Sequence, residues 1–381
     1  MRLLLSLILL CGPLLAAAKR PLLVISIDGL DHRYLRDRDK LGLKIPNLRR
    51  MLAQGAWANG VVGVVPTVTF PSHTTLVTGV RSDQHGILNN NLPKEQGGTR
   101  YFSAKYLKVP TLWDIARKAG LKTAAIHWPV TVDAQIAWNL PEAFERRRGG
   151  GMDFESMAKT STPGLIEKIS GKFPSFPLEW VDDRVRALGT IYLLKYEKPD
   201  LILLHLVDHD SEAHETGPFS RQAIAMIEYQ DELLGQILAT APKNMVVAVV
   251  SDHGFERVDR MVKVNGKVEG GGTLITTQDA QTAQELRKAA IGREIPAAEW
   301  TRLLPNRPVP VAAFEPRPHE QFYLSQQPPA HDKGTHGYWP LRADYRATFL
   351  LWGNGVKAEQ LPELDMLSIA PRFAGILGIK F

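Results

Sequence analysis

The chain of 381 residues has one cysteine, Cys11, and no other. A protein of this size without further thiols must be held by its core and not by disulfides. No apolar run reaches membrane length. The longest, at the start, covers about 14 residues to Leu15, short of the ~20 that a helical span needs. Nor is there a strong charge of one sign. With 46 basic and 40 acidic residues the net charge is +6, too small to argue for a nucleic-acid partner but enough to favour anionic substrates. The run Arg146-Arg147-Arg148 reads as a solvated loop. No internal repeat is visible.

What is present is ordinary in bulk, 44% hydrophobic and 23% charged, as in a soluble globular protein. The opening MRLLLSLILLCGPLLAAAKR has a basic start, an apolar stretch and a small-residue end, the pattern of a secretory signal peptide over residues 1–18, cut near Ala17 or Ala18. Leu10 before Cys11 does not suit a lipoprotein signal. Loss of Arg2 with the signal leaves +5. Export to a periplasm or to the medium, with no stable membrane span, is the expected location.

Along residues 19–381, apolar runs of strand length alternate with amphipathic runs of helix length, the mark of an α/β fold with a mostly parallel sheet covered on both faces. Strands are expected over 22–27, 61–65, 123–128, 201–207, 245–250 and 347–352, the last closing the sheet. Helices are expected over 46–54, 72–78, 111–119, 182–196, 220–239 and 366–377, the final one interrupted at Pro371. From about 255 to 333 the pattern turns to glycines, a polar helix-like stretch over 277–291 and a proline-rich piece, read as an inserted cap. A second excursion, 138–177, would lie over the site.

Ligands of open parallel sheets bind at the carboxyl ends of strands. Asp28 follows the strand 22–27, Asp210 lies three residues past Val207, and Asp252 two past Val250. Three carboxylates would therefore meet on one rim, joined by His214, His253 and His336. Carboxylate and imidazole suit borderline divalent metals, and two such ions clamp the attacking and leaving oxygens of a phosphate ester. Thr69, just before a helix, is the candidate nucleophile, with the helix start offering N–H groups to a phosphate oxygen. Spacing alone leaves Asp208 competing with Asp210 as a ligand, and Ser72, Thr74 and Thr75 competing with Thr69. His32, His73, His85 and His127 read as structural.

The segments VISIDGLDHRYL, PTVTFPSHTTLVTGVRSDQHGILNN, DSEAHETGP, SDHGF and THGY, in this order, resemble the nucleotide pyrophosphatase/phosphodiesterase (type I phosphodiesterase) family of the alkaline phosphatase superfamily. The resemblance implies an alkaline-phosphatase-like sheet sandwiched by helices, with two zinc ions per chain. Asp28, Asp252 and His253 would hold one zinc, with Thr69 as further ligand and nucleophile; Asp210, His214 and His336 would hold the other. Asn90, within Asn89-Asn90-Asn91, would bind a phosphate oxygen together with the backbone amide of Phe70. The implied reaction is attack by Thr69 on a small-molecule phosphodiester, nucleotide or pyrophosphate, then hydrolysis of a phosphothreonine by zinc-bound water. A phosphomonoesterase or phosphonate hydrolase on the same metals is the alternative. A non-catalytic binder would have lost a ligand or the nucleophile, and none is missing. Two departures stand out. The family's PDSxGH context is VDHDSEAH here, and the tyrosine-rich stretch that stacks a base after its WP motif is not reproduced after Trp128-Pro129, where Phe144 or Trp138 could substitute.

Overall fold

The computed structural model describes residues 20–144, 153–176, 181–330 and 332–381. The expected signal peptide, Arg146-Arg147-Arg148 and Gly149-Gly150-Gly151 lie outside the described residues.

Eight strands form the main sheet: β1 Leu22–Ile27, β2 Ala56–Ala58, β3 Thr123–Ile126, β4 Trp138–Leu140, β5 Leu201–Leu206, β6 Val246–Val250, β7 Phe349–Gly353 and β8 Glu359–Leu361. Their order is β8-β2-β7-β6-β1-β5-β3-β4. The three central strands, β6, β1 and β5, are parallel and buried along their whole length, which is why their sequences run apolar without alternation. Ser26 of β1 lies in register with His205 on one side and Val250 on the other, so these strands end side by side. β7 is antiparallel to both its neighbours. The stretch expected to close the sheet is therefore neither at its edge nor last, because β8 follows it and pairs with β2.

Alternate residues of β1 feed two cores. Leu23, Ile25 and Ile27 pack with α1 Pro46–Gln54, α2 Asp183–Tyr192 and α3 Arg221–Leu238. Leu22 and Val24 pack with the helices Thr69–Thr78, Leu112–Lys118 and Ile369–Leu377 on the other face. Each fully buried Leu or Ile contributes about 1.5–3 kcal/mol relative to exposure, so the sandwich is a rigid base for whatever its strand ends carry. The helix ends follow the sequence signals. Pro46 starts α1, Ser220 accepts from the Ala223 N–H ahead of α3, and Thr111 with Asp114 forms a capping box.

Several boundaries differ from expectation. Only Val61–Val62 is strand in 61–65, paired outside the main sheet with Leu364–Asp365. The helix expected from residue 72 starts at Thr69. Pro71 is its third residue, where a missing N–H costs no helix hydrogen bond. The same reason removes the expected break at Pro371, which is the third residue of Ile369–Leu377 after a 3-10 turn at Met366–Ser368. In the polar stretch 277–291 the helix is Ala280–Ala289, after the strand Ile275–Thr277.

Between residues 256 and 335 the chain builds a second, smaller sheet of four strands with two apolar clusters of its own, one of which includes Val65 and Trp339 of the main body. Buried Arg342 ties the two parts together, 3.2 Å from both Glu256 Oε2 and Glu315 Oε2.

Candidate metal and phosphoryl site

The carboxyl ends of β6, β1 and β5 bring the predicted ligands to one place. Ligand atoms of Asp28, Asp252 and His253 lie within 4.8 Å of one another, as do those of Asp210, His253 and His336. His214 joins them, its Nε2 3.6 Å from Asp210 Oδ2, while His336 Nε2 is 3.7 Å from Asp210 Oδ1. The helix Asp208–Thr216 sets Asp210 and His214 one turn apart on one face.

The orientation of the three imidazoles is fixed by main-chain carbonyls. His253 Nδ1 is 3.1 Å from Gly254 O, His336 Nδ1 3.2 Å from Thr67 O, and His214 Nδ1 3.0 Å from Gly334 O. Each Nδ1–H donates to its carbonyl, which leaves each Nε2 with a lone pair aimed into the cluster. The carboxylates are aimed in a similar way. Asp252 Oδ1 accepts from the Gly29 N–H at 3.1 Å, and Asp28 Oδ2 faces His205 Nε2 at 3.1 Å. Asp28 Oδ1, Asp252 Oδ2, Asp210 Oδ1 and His253 Nε2 are all buried without a hydrogen bond. Orphaned buried polar atoms are costly, and four of them spread over two adjoining ligand groups suit bound cations.

Protons alone answer this charge poorly. Burial, with the charge of Asp28, pushes Asp210 up to about 6, and burial pushes Asp252 well above the carboxylate range. For His253 burial opposes protonation, but Asp252 and Asp28 outweigh it and raise the ring to about 9. Divalent cations would take the place of those protons, since metal binding displaces them. The residues present therefore fit divalent cations.

Gly29 shows how tightly the rim is packed. Its φ is +66°, and a Cβ there would sit 2.8 Å from the Phe255 ring. A side chain is excluded on both counts.

Thr69 opens its helix, and its hydroxyl makes no hydrogen bond among the described residues. The competing hydroxyls are engaged or enclosed. Thr74 Oγ1 donates to Phe70 O, Thr75 Oγ1 to Val80 O, and Ser72 is fully buried. Asn90 Oδ1 accepts from the Phe70 N–H at 2.9 Å, whereas Asn89 folds back on the Asn90 backbone. Asp208 is likewise committed elsewhere: its Oδ1 lies 2.9 Å from Arg186 Nη1 and its Oδ2 accepts from the Asp183 N–H.

Sequence reasoning missed the support behind Asp28. His205 stands between Asp28 and Glu142, its Nδ1 3.1 Å from Glu142 Oε2. A lone histidine in the apolar strand LILLHL was the available signal. The four histidines read as structural have no part in the ligand groups. Three have protein partners (His73 with Ser26 Oγ and Thr69 O, His85 with Thr75 and Ile87, His127 with Arg186), and His32 is buried beside Asp31.

A mostly parallel α/β sheet with a buried carboxylate–imidazole cluster on its strand ends defines a protein whose site suits divalent cations. The chain belongs to the type I phosphodiesterase / nucleotide pyrophosphatase family, whose family model matches residues 22–331. It is 26% identical over 250 residues to a venom phosphodiesterase of Naja atra, covering 62% of this chain and 26% of that protein. It is also 26% identical over 249 residues to ectonucleotide pyrophosphatase/phosphodiesterase family member 1 of Homo sapiens, covering 62% and 24%. The chain thus spans about a quarter of the length of these curated relatives. Among solved structures it is similar to murine ectonucleotide pyrophosphatase/phosphodiesterase 5, with TM-score 0.67, 19% identity, and 95% and 96% of the two chains covered. An inactive variant of that protein in complex with AMP gives TM-score 0.68 over the same shares. The fold is the alkaline-phosphatase-like one.

Proposed function

We propose that the chain is an exported two-zinc phosphodiesterase/pyrophosphatase acting on nucleotide-type esters or anhydrides. The observation that carries this reading is the convergence of three carbonyl-anchored imidazoles and three carboxylates, with the Thr69 hydroxyl, which makes no hydrogen bond among the described residues, as the proposed nucleophile. Asp28, Asp252, His253 and Thr69 would hold one ion, and Asp210, His214 and His336 the other. Bound there, the pair of cations would lower the proton affinity of the Thr69 hydroxyl and spread the charge of the attacking and leaving oxygens.

Thr69 Oγ1 then forms a bond to phosphorus as the bond to the leaving oxygen breaks, giving a phosphothreonine that water cleaves in a second displacement. The Phe70 N–H exchanges Asn90 Oδ1 for a phosphoryl oxygen, and the Asn90 side-chain amide donates to the same oxygen. The segment 255–333 is the cap that shapes the outer pocket. The AMP bound by the structural neighbour supports a nucleotide substrate, and the basic, apolar and small-residue order of residues 1–18 supports export. No helix among the described residues is long and apolar enough to cross a membrane.

The zinc-loaded protein should cleave bis-p-nitrophenyl phosphate in preference to p-nitrophenyl phosphate. Thr69→Ala should lose at least about 10³-fold in kcat while still folding and still binding metal through the remaining carboxylate and imidazole ligands. Faster turnover of the monoester would replace this reading with the phosphomonoesterase one. Full activity of Thr69→Ala would give the attack to another group.

A further inference from the structure

His73 sits one turn beyond Thr69 in the same helix and belongs to neither ligand group, yet its ring lies among the residues that the proposed reaction uses. Its Nδ1 is 2.8 Å from Thr69 O and 3.5 Å from Asp252 Oδ2, and its Nε2 is 2.9 Å from Ser26 Oγ. The side chain is fully buried. Its ring centre is 4.2 Å from that of His205, the imidazole behind Asp28, and 5.0 Å from that of Trp128, which it meets edge-on.

The direction of these bonds follows from the partners. A carbonyl oxygen only accepts, so Nδ1 carries a hydrogen and donates it to Thr69 O, with Asp252 Oδ2 close to the same nitrogen. Ser26 lies two residues before Asp28 on β1, and Asp252 follows the end of β6. One ring therefore touches the strand that leads to Asp28, the carboxylate of Asp252 and the main chain of Thr69. The helix start has few other anchors. Val68, just before Thr69, has no side-chain group that could cap it. The Phe70 N–H, held by Asn90 Oδ1, passes to the phosphoryl group in the reaction proposed above, whereas the bond from His73 to Thr69 O is made in the buried interior.

We infer that His73 is a positioning residue for phosphoryl transfer: it holds the Thr69 main chain in register with Asp28 and Asp252, so that the hydroxyl is presented to the cation those carboxylates would bind. It touches no substrate and acts through Thr69. This rests on the phosphodiesterase/pyrophosphatase reading and deepens it by naming what keeps the nucleophile in place. A displacement of about 1 Å at a reacting atom can cost about 10²-fold in rate, so a slack first turn would show in kcat before it showed in substrate affinity.

The test uses the two amides that each reproduce one side of an imidazole. The asparagine amide reaches the place of Nδ1, and the glutamine amide the place of Nε2. With zinc-loaded protein and bis-p-nitrophenyl phosphate, His73→Gln should lower kcat at least about 30-fold and move KM by less than about threefold, while His73→Asn should recover to within about fivefold of the wild type. Losses of equal size in both variants, a loss confined to KM, or no loss would overturn the inference. A second readout needs no turnover. Orthovanadate takes the five-coordinate shape of the transferring group with Thr69 Oγ1 as an apical ligand, so its calorimetric affinity should drop at least about tenfold in both His73→Gln and Thr69→Ala, with that of sulfate unchanged. A drop in Thr69→Ala without one in His73→Gln would overturn the role of His73. Equal vanadate affinity in Thr69→Ala and the wild type would instead overturn Thr69 as the attacking group, and this inference with it. If His73→Gln does not fold, Ser26→Ala, which frees only the far side of the ring, takes its place. It should lose at least about threefold in kcat at constant KM, and a wild-type kcat there would overturn the inference.

Discussion

The Nε2 of His205 stands 3.1 Å from Asp28 Oδ2, and the other nitrogen of the same ring stands 3.1 Å from Glu142 Oε2. One oxygen of Asp28 is thereby held from behind while Oδ1 faces the other candidate ligands. Groups that orient a metal ligand typically change affinity by about 10–100-fold when removed. His205→Asn should weaken zinc binding within that range, and Glu142→Gln should weaken it less. Competition with a chromogenic chelator reads both, independently of catalysis. An unchanged zinc affinity in His205→Asn would make the contact incidental.

Removing the metals should destabilise the fold. Without cations, Asp28, Asp210 and Asp252 are left in one buried cluster. A ligand present at 100 times its dissociation constant adds about 2.7 kcal/mol by mass action, and two ions would add separately. Treatment with a chelator should lower the melting temperature by several degrees and abolish turnover, and zinc should restore both. A melting curve indifferent to chelator would contradict the site.

Arg186 is completely buried and bridges Asp183 at 2.6 Å and Asp208 at 2.9 Å. Arg186→Met should destabilise by about 3–5 kcal/mol, because buried Asp183 and partly buried Asp208 lose their counter-charge. Urea denaturation measures it. A cost below about 1 kcal/mol, the value of an exposed pair, would show that the network is not structurally important.

His85 gives the fold a dependence on pH. Its Nδ1 accepts from the Ile87 N–H, so Nε2 carries the proton and donates to Thr75 Oγ1, which in turn donates to Val80 O. A second proton has no room, and burial lowers the ring to about 4. The unfolded chain protonates near 6.5, so it binds more protons between these values and stability falls as pH drops from about 6.5 toward 4. The full loss is about 3 kcal/mol, at 1.36 kcal/mol per unit. In His85→Gln the urea midpoint should fall less steeply across this window. A slope equal to that of the wild type would remove His85 as a source.

Legibility in the sequence followed burial and length. Long apolar strands with an acidic residue just past them (Leu22–Ile27 before Asp28, Val246–Val250 before Asp252) announce themselves, because both faces of the sheet demand hydrophobic side chains. The three-residue strands Ala56–Ala58 and Trp138–Leu140 are too short to show a period, and the direction of Phe349–Gly353 depends on a return path that local residues do not encode. The contest between Asp208 and Asp210 turned on Arg186, twenty-two positions from Asp208 in the chain, which no local spacing could reveal. Glu142 and His205 met for a similar reason, sixty-three positions apart.

The anchoring of His214, His253 and His336 through carbonyls of Gly334, Gly254 and Thr67 has a lasting effect on how this pocket can diverge. Those acceptors belong to the peptide backbone, and no codon change can delete them. Descendants are free to remodel the walls and the overlying segment for new leaving groups while the histidines keep their aim. The vulnerable side is the one where Asp28 leans on replaceable side chains, and it is there that drift would first loosen the grip.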